Sequence, residues 1–229
     1  MCWLFLTIIG MNMKYFKYKH LFTLIGGLLI LLTSCTKDLT DVTIVYENNF
    51  NNGDPKGIVT AGWLSDFAFG VFPFNKITNY KNLKMLGVFN NTRIELDVDK
   101  LPEHSVLKVE FDLYLHDSWK NDLWMLTIDG NNRLLTGFSN ISSIQQAYPN
   151  WLNSGPTFPA GNQAQEIYLP GLCSLKDNKT GTSKYKIVHS LLHSAKTVKI
   201  TMSDAGGNKN DTCARSWAID NLKVVALKN

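Results

Sequence analysis

The stretch Thr92–Leu115, TRIELDVDKLPEHSVLKVEFDLYL, decides the fold. Ile94, Leu96 and Val98 alternate with Arg93, Glu95 and Asp97. After the break at Lys100-Leu101-Pro102 the pattern resumes, with Leu107, Val109, Phe111, Leu113 and Leu115 set against Lys108, Glu110, Asp112 and Tyr114. Successive side chains of a strand point to opposite faces, so period two with one apolar side specifies half-buried antiparallel strands. Working outward, Val198, Ile200 and Met202 repeat the pattern against Lys199 and Thr201, and Val42–Tyr46 opens the folded part. Turn formers separate these runs: Asn51-Asn52-Gly53-Asp54-Pro55, Asp129-Gly130-Asn131-Asn132, Asp177-Asn178 and Gly206-Gly207-Asn208. No stretch of the body keeps a helical period. The expectation is an all-β fold, a two-sheet antiparallel jelly-roll sandwich of roughly 185 residues after an N-terminal signal segment. Its divisions are a signal peptide over 1–34, a lipidated tether over 35–41 and the sandwich over 42–229.

Composition bounds the function. The 229 residues are 45% hydrophobic and 18% charged, enough apolar content for a core and too much for a disordered chain. The formal net charge of +4 is misleading, because Lys14, Lys17 and Lys19 lie in the first 34 residues, which contain no acid. Without them 20 basic residues face 19 acidic ones. No clustered positive charge remains to track a phosphate backbone, so the composition excludes nucleic acid as a partner.

The leader says where the chain goes. Met13-Lys-Tyr-Phe-Lys-Tyr-Lys-His20 precedes an uncharged run from Leu21 to Leu32, then Thr33-Ser34-Cys35. A basic start, a short apolar run and small residues make a secretory signal. Its apolar run would rise about 18 Å as a helix, short of the roughly 30 Å hydrocarbon core, so it is not a permanent span. Residues 1–12 read as an upstream extension, since Met11 or Met13 begins a more typical signal. Leu32-Thr33-Ser34-Cys35 resembles the lipobox of bacterial lipoproteins. That implies a mature chain beginning at Cys35, lipidated with palmitate-type acyl chains and held in the outer membrane or at the cell surface. Thr36-Lys37-Asp38 is similar to the acidic export signals of Bacteroidetes surface lipoproteins. Of the other cysteines, Cys173 and Cys213 stand in a compartment that permits a disulfide, which would stabilise by about 3–4 kcal/mol in the chain-entropy model. Two free buried thiols are the alternative, and neither cysteine has zinc-site spacing.

Five short motifs carry a family resemblance: Leu101-Pro102-Glu103-His104, Phe111-Asp112-Leu113-Tyr114, Asp117-Ser118-Trp119, Phe138-Ser139-Asn140 and Trp217-Ala218-Ile219-Asp220-Asn221. In that order, from about Leu86 to Val225, the chain resembles a jelly-roll module of secreted bacterial proteins. With Tyr46-Glu47-Asn48-Asn49-Phe50, Trp63 and the terminal Ala-Ile-Asp-Asn-Leu strand, it is similar to MAM and carbohydrate-binding-module sandwiches. That resemblance implies a structural calcium held by Glu47 and Asp220, with further oxygens completing the six to eight that calcium takes. Asp220 is also readable as an acid on a solvent-facing edge. Trp119 is followed by Lys120-Asn121 where many relatives read Asp-Gly, which argues against a second calcium.

Three chemistries remain to be weighed. Glu95, Asp97 and Asp99 share a strand face, as the carboxylates of sandwich glycanases do, but an alternating strand presents the same acids simply to solvent. His189 and His193 are four apart in a segment, Tyr185–Leu192, that reads as strand, where this spacing does not make a ligand pair. No serine-nucleophile elbow, phosphate loop or zinc-protease motif occurs. Glycan recognition uses aromatic platforms with amides and carboxylates, and Trp119, Trp124, Tyr148 and Trp151 lie in or beside polar segments with Asp117, Asn121, Asp122 and Asn150. Trp119, Tyr148 and Trp151 are the expected ligand contacts, Tyr148 and Trp151 first because they sit in the long segment Asn140–Gln165. The expected function is a non-catalytic, lipid-anchored glycan-binding sandwich. An adhesive surface protein that binds another protein is the second class, and a hydrolase using Glu95, Asp97 and Asp99 the third.

Overall fold

The computed structural model describes residues 41–61, 77–206 and 211–228. Trp63 and Cys35, with the rest of the leader and the lipobox, lie outside the described residues. Among the described residues there is no helix, and twelve strands make two antiparallel sheets. They are β1 (Asp41–Asn48), β2 (Val59–Ala61), β3 (Ile77–Tyr80), β4 (Leu83–Phe89), β5 (Arg93–Asp99), β6 (Val106–Asp117), β7 (Lys120–Ile128), β8 (Asn131–Ser139), β9 (Glu166–Leu169), β10 (Thr182–Leu192), β11 (Thr197–Asp204) and β12 (Arg215–Lys228). The larger sheet runs β3-β4-β12-β6-β10-β9, with β1 also paired to β12. The smaller runs β2-β5-β11-β7-β8. The jelly-roll sandwich read from the sequence is the fold observed.

The apolar faces of β5 and β6 meet across the sandwich. Ile94, Leu96 and Val98 are buried on the smaller sheet, and Leu107, Val109, Phe111, Leu113 and Leu115 on the larger. Each such side chain, fully buried, contributes about 1.5–3 kcal/mol, so the alternating pattern is itself the driving force for the two layers to stack. Trp124 of β7 and Trp217 of β12 meet edge to face between the sheets, ring centroids 5.9 Å apart. Both indoles are wholly buried.

A buried ion pair ties the two sheets together. Asp204, at the end of β11, accepts from the backbone N–H of Asn91 at 2.8 Å and of Thr92 at 3.0 Å. It also accepts from Trp217 Nε1 at 2.6 Å and lies 3.4 Å from the Arg215 guanidinium. Burial pushes its carboxyl above the usual range, and those four donors pull it back. Arg215 goes on to Asp122 Oδ1 at 2.6 Å and the Ala205 carbonyl at 2.7 Å, and sits over the Trp119 ring. Around it the loops of this end are stapled. Cys173 and Cys213 form a disulfide with Cα atoms 5.0 Å apart, and the buried Asp117 carboxylate accepts from Cys173 N and Leu175 N.

The opposite end has its own clasp. His104, after the β5–β6 turn, donates from Nδ1 to the Pro102 carbonyl at 2.6 Å. Its Nε2 lies 2.7 Å from Nδ1 of His193, whose Nε2 reaches Asp129 at 3.1 Å. His193 thus pairs with a residue 89 positions away rather than with His189.

Asp204→Ala should be the most damaging single change outside the apolar core, since it leaves Arg215 and three N–H groups without their buried acceptor. The expected loss is about 3–5 kcal/mol, read as a lower urea midpoint with unchanged m-value.

Candidate functional site

The outer face of the larger sheet is built from the polar half of the alternating strands. β6 presents Lys108, Glu110, Asp112 and Tyr114 there, and β10 presents Lys184, Lys186 and Val188 in register with them. Toward the disulfide end this face is covered by a small second cluster of Tyr80, Met85, Tyr114, Leu169 and Ala218, with Leu172 packed on it. His116 is sealed beneath it, its pKa pushed down to about 3 by burial. Its Nδ1 lies 2.9 Å from Thr182 Oγ1.

Nearer the middle the face opens into a polar cleft of about 570 Å³. Its floor is Glu110, Lys186 and Lys223, and its wall is Glu47 with the connection from β1 to β2. That connection folds as a run of side-chain turns. Asn48, Asn49, Asn52 and Asp54 each accept the backbone N–H two residues on, at 2.8–3.2 Å. Short polar side chains do this because they mimic a backbone turn. Asn49 and Asn52, whose oxygens are used within the loop, also line the cleft. Lys56 donates to the Glu47 carbonyl at 2.9 Å and lies over the Tyr46 ring. Glu110, paired with Lys108 at 3.0 Å, holds its carboxyl below the ordinary value and is an ionised acceptor.

Asn221 borders the cleft and explains the Asp220-Asn221 pair. β12 carries a bulge between Asp220 and Lys223, and Asn221 occupies it with φ of 52°. Asparagine tolerates that left-handed conformation better than most residues. Its Nδ2 donates to Asp112 at 2.9 Å and to Asp220 at 3.3 Å, and its N–H donates to Asp220 Oδ1 at 2.7 Å. Lys184 and Lys186 reach Asp112 at 3.0 and 3.6 Å. Asp220 is therefore compensated by an amide and two nearby lysines. Burial, with the like charge of Asp112, pushes its pKa up to about 6 against that compensation.

The other expected site residues fall in different places. Glu47 lies 3.8 Å from Lys223 and is mostly exposed. Among the described residues no three histidine, cysteine, aspartate or glutamate side chains converge as a metal site. Glu47 has Lys223 beside it, and Asp220 has the Asn221 amide, the Asp112 carboxylate and two lysines around it. Trp119 is fully buried, donating from Nε1 to the Ser216 carbonyl at 2.9 Å, so it is core and offers no face to a ligand. Tyr148 is partly buried, its ring 4.7 Å from Phe138 and 5.3 Å from Tyr185 between centroids, and burial raises its phenol pKa. Trp151 alone of the three is exposed, at 44%. Glu95 lies 2.9 Å from Arg93 and 3.3 Å from Lys199, which also reaches Asp97 at 3.5 Å. These acids form an ion-pair network on the smaller sheet's outer face, with Asp99 exposed at the strand end.

The sequence reading missed Gln146. It is completely buried, and its Oε1 accepts from Ser139 N, Gly161 N and the Tyr185 hydroxyl while its Nε2 donates to the Tyr148 and Asn162 carbonyls. One amide thereby organises the segment between β8 and β9. One glutamine of the Gln145-Gln146 pair in a polar stretch gave no signal of this.

No family model matches the chain, and no curated protein is a significant match. Among solved structures it is similar to dimeric latent PorU from Porphyromonas gingivalis at 8% identity and TM-score 0.36, covering 60% of this chain and only 10% of that one. It is similar to a family 35 carbohydrate binding module from Clostridium thermocellum at 12% identity and TM-score 0.32, covering 80% and 97%. It is also similar to the K3 cleaved adhesin domain of Lys-gingipain from P. gingivalis at 8% identity and TM-score 0.41, covering 80% and 100%. Likenesses this distant leave the function to be argued from the site.

The Asp220 carboxyl has a measurable consequence. Its folded value of about 6 lies above its ordinary 3.8, so between them the folded protein keeps a proton the unfolded chain has lost. This contribution to stability is complete below about pH 4 and lost as pH rises through 6. Asp220→Asn should flatten the slope of stability between pH 4 and 7 and raise stability at pH 7 by about 1–2 kcal/mol, measured as urea midpoints across that range.

Proposed function

We propose that this protein is a cell-envelope lipoprotein, anchored through Cys35 in the outer membrane or at the cell surface, whose sandwich binds a glycan without cleaving it. The polar cleft carries the reading. It sets the ammonium groups of Lys56, Lys186 and Lys223 and the amides of Asn49 and Asn52 against the carboxylates of Glu47 and Glu110. Donors and acceptors interleaved in one cleft suit a ligand that carries both on every hydroxyl, as a sugar does. The lining is nearly free of apolar side chains, which disfavours a hydrophobic peptide or cofactor. The Glu95 network lies on the other sheet, with each acid near a cation, and contributes nothing to the cleft.

Binding of the soluble domain, residues 36–229, to a polysaccharide panel tests the glycan. Saturable binding to one glycan class, weakened at least tenfold by Glu110→Gln or Lys186→Ala and unchanged by a chelator, is the expected result. Loss of binding in Trp151→Ala with the cleft variants unaffected would move the site to the segment between β8 and β9. Silence across the panel from folded protein would end the glycan reading.

The anchor has its own test. Cys35→Ser should abolish incorporation of a labelled fatty acid and shift the chain from the membrane fraction to the soluble one.

A further inference from the structure

Beyond the cleft, the end of the larger sheet where β1 begins carries a row of apolar side chains on its outer face. The register aligns Val42 of β1 with Leu227 of β12, Leu227 with Val106 of β6, and Val106 with Leu192 of β10. Residues opposite one another in antiparallel strands share a face, and Val106 is on the face of Lys108 and Glu110, away from the core. Ile44 and Val225 form the next row inward. Leu192 is 86% exposed, Val42 63% and Ile44 49%, at the two flanks, while Leu227 and Val106 between them are half-buried and Val225 is buried. Single exposed apolar residues are ordinary, but apolar side chains aligned across four adjacent strands form a patch that a partner can cover.

What covers it follows from where the tether leaves. Asp41 is paired with Lys228, one register position beyond Val42 and Leu227. Five residues lie between Cys35 and Asp41, six steps along the chain that span at most about 20 Å when fully extended. A lipid on Cys35 therefore holds the bilayer surface within that distance of the apolar row, and holds it there permanently. The charges around the row are balanced: Lys228 is paired with Glu103 at 2.8 Å and Lys108 with Glu110 at 3.0 Å. Nothing there selects a strongly charged partner.

We infer that the row Val42–Leu227–Val106–Leu192 is a membrane-docking edge that rests on the lipid surface holding the Cys35 anchor. The inference rests on the lipoprotein reading. A weak apolar contact is enough, because the tether makes docking intramolecular and raises the local concentration of bilayer at the row. Docked this way, the start of β1 and the end of β12 face the lipid, and the polar cleft at the far end of β1 lies further along the same sheet face. The bilayer would fix the orientation in which the cleft meets a glycan.

The test uses the full, lipidated chain in phosphatidylethanolamine–phosphatidylglycerol vesicles, with a spin label placed by Leu192→Cys and, as a control, by Tyr168→Cys on the exposed β9. Docking predicts that the label at 192 is shielded from a water-soluble nickel collision agent at least threefold relative to the label at 168. Val42→Glu should abolish that shielding while the protein still floats with the vesicles. Equal access at both positions in protein that floats would overturn the docking edge and leave the lipoprotein reading standing. Failure to float, with no acyl mass on Cys35, would overturn both. Shielding at 192 in detergent without vesicles, together with a doubled mass, would assign the row to a second copy of the chain and overturn the inference.

Discussion

The carboxylate of Asp204 is the constraint on which the rest of the architecture depends. A sandwich is held mainly by non-directional burial, which tolerates sliding and rotation of one sheet over the other. Asp204 removes that freedom, because it is buried and can be satisfied only where two backbone N–H groups, an indole and a guanidinium arrive together. Those donors come from the β4–β5 turn and from β12, so one ion pins β11 of the smaller sheet to β12 of the larger. Arg215 extends the pin to β7 through Asp122 and roofs the Trp119 indole. Burying this charge costs desolvation energy that its partners offset.

With that end stapled by the ion pair, the disulfide and Asp117, and the other end clasped by His104, His193 and Asp129, the outer face of the larger sheet can vary without endangering the core. It changes character along its length. At the stapled end it is covered by aromatic residues and sealed around His116. In the middle it holds a dense polar cleft, and at the end where β1 starts it turns apolar. Side chains on such a face project from rigid strands, whose register sets their spacing.

The residues most suggestive of a site in the sequence were mostly structural. Asp117-Ser118-Trp119 and Phe138-Ser139-Asn140 meet one another: the Trp119 carbonyl accepts from Asn140 N and Ser139 Oγ, and Asn140 Nδ2 donates to the Leu115 and Asp117 carbonyls. Asp220-Asn221 makes a bulge in β12. Aromatics beside polar residues looked like a sugar platform, but polar neighbours in a β-protein often cap strand ends while the ring turns inward. Trp119 and Tyr148 do so, and only Trp151 stays outside. The cleft lay in a run of asparagines that read merely as a turn.

Local physics explains what could be read from the chain alone. Period-two alternation reports which face of each strand is buried, and turn residues report where strands stop, so the all-β sandwich and its core were legible from Thr92 to Leu115 and outward. Pairing is another matter. That Glu110 and Lys186 should floor the same cleft as Asn49, or that Val42, Leu227, Val106 and Leu192 should line up across four strands, depends on strand order and register. These arise from contacts between residues up to about two hundred positions apart, which no local pattern encodes. The sequence by itself determined which face of each alternating strand turns to the core, and the tertiary structure decided which loop aromatics join it and what is brought together.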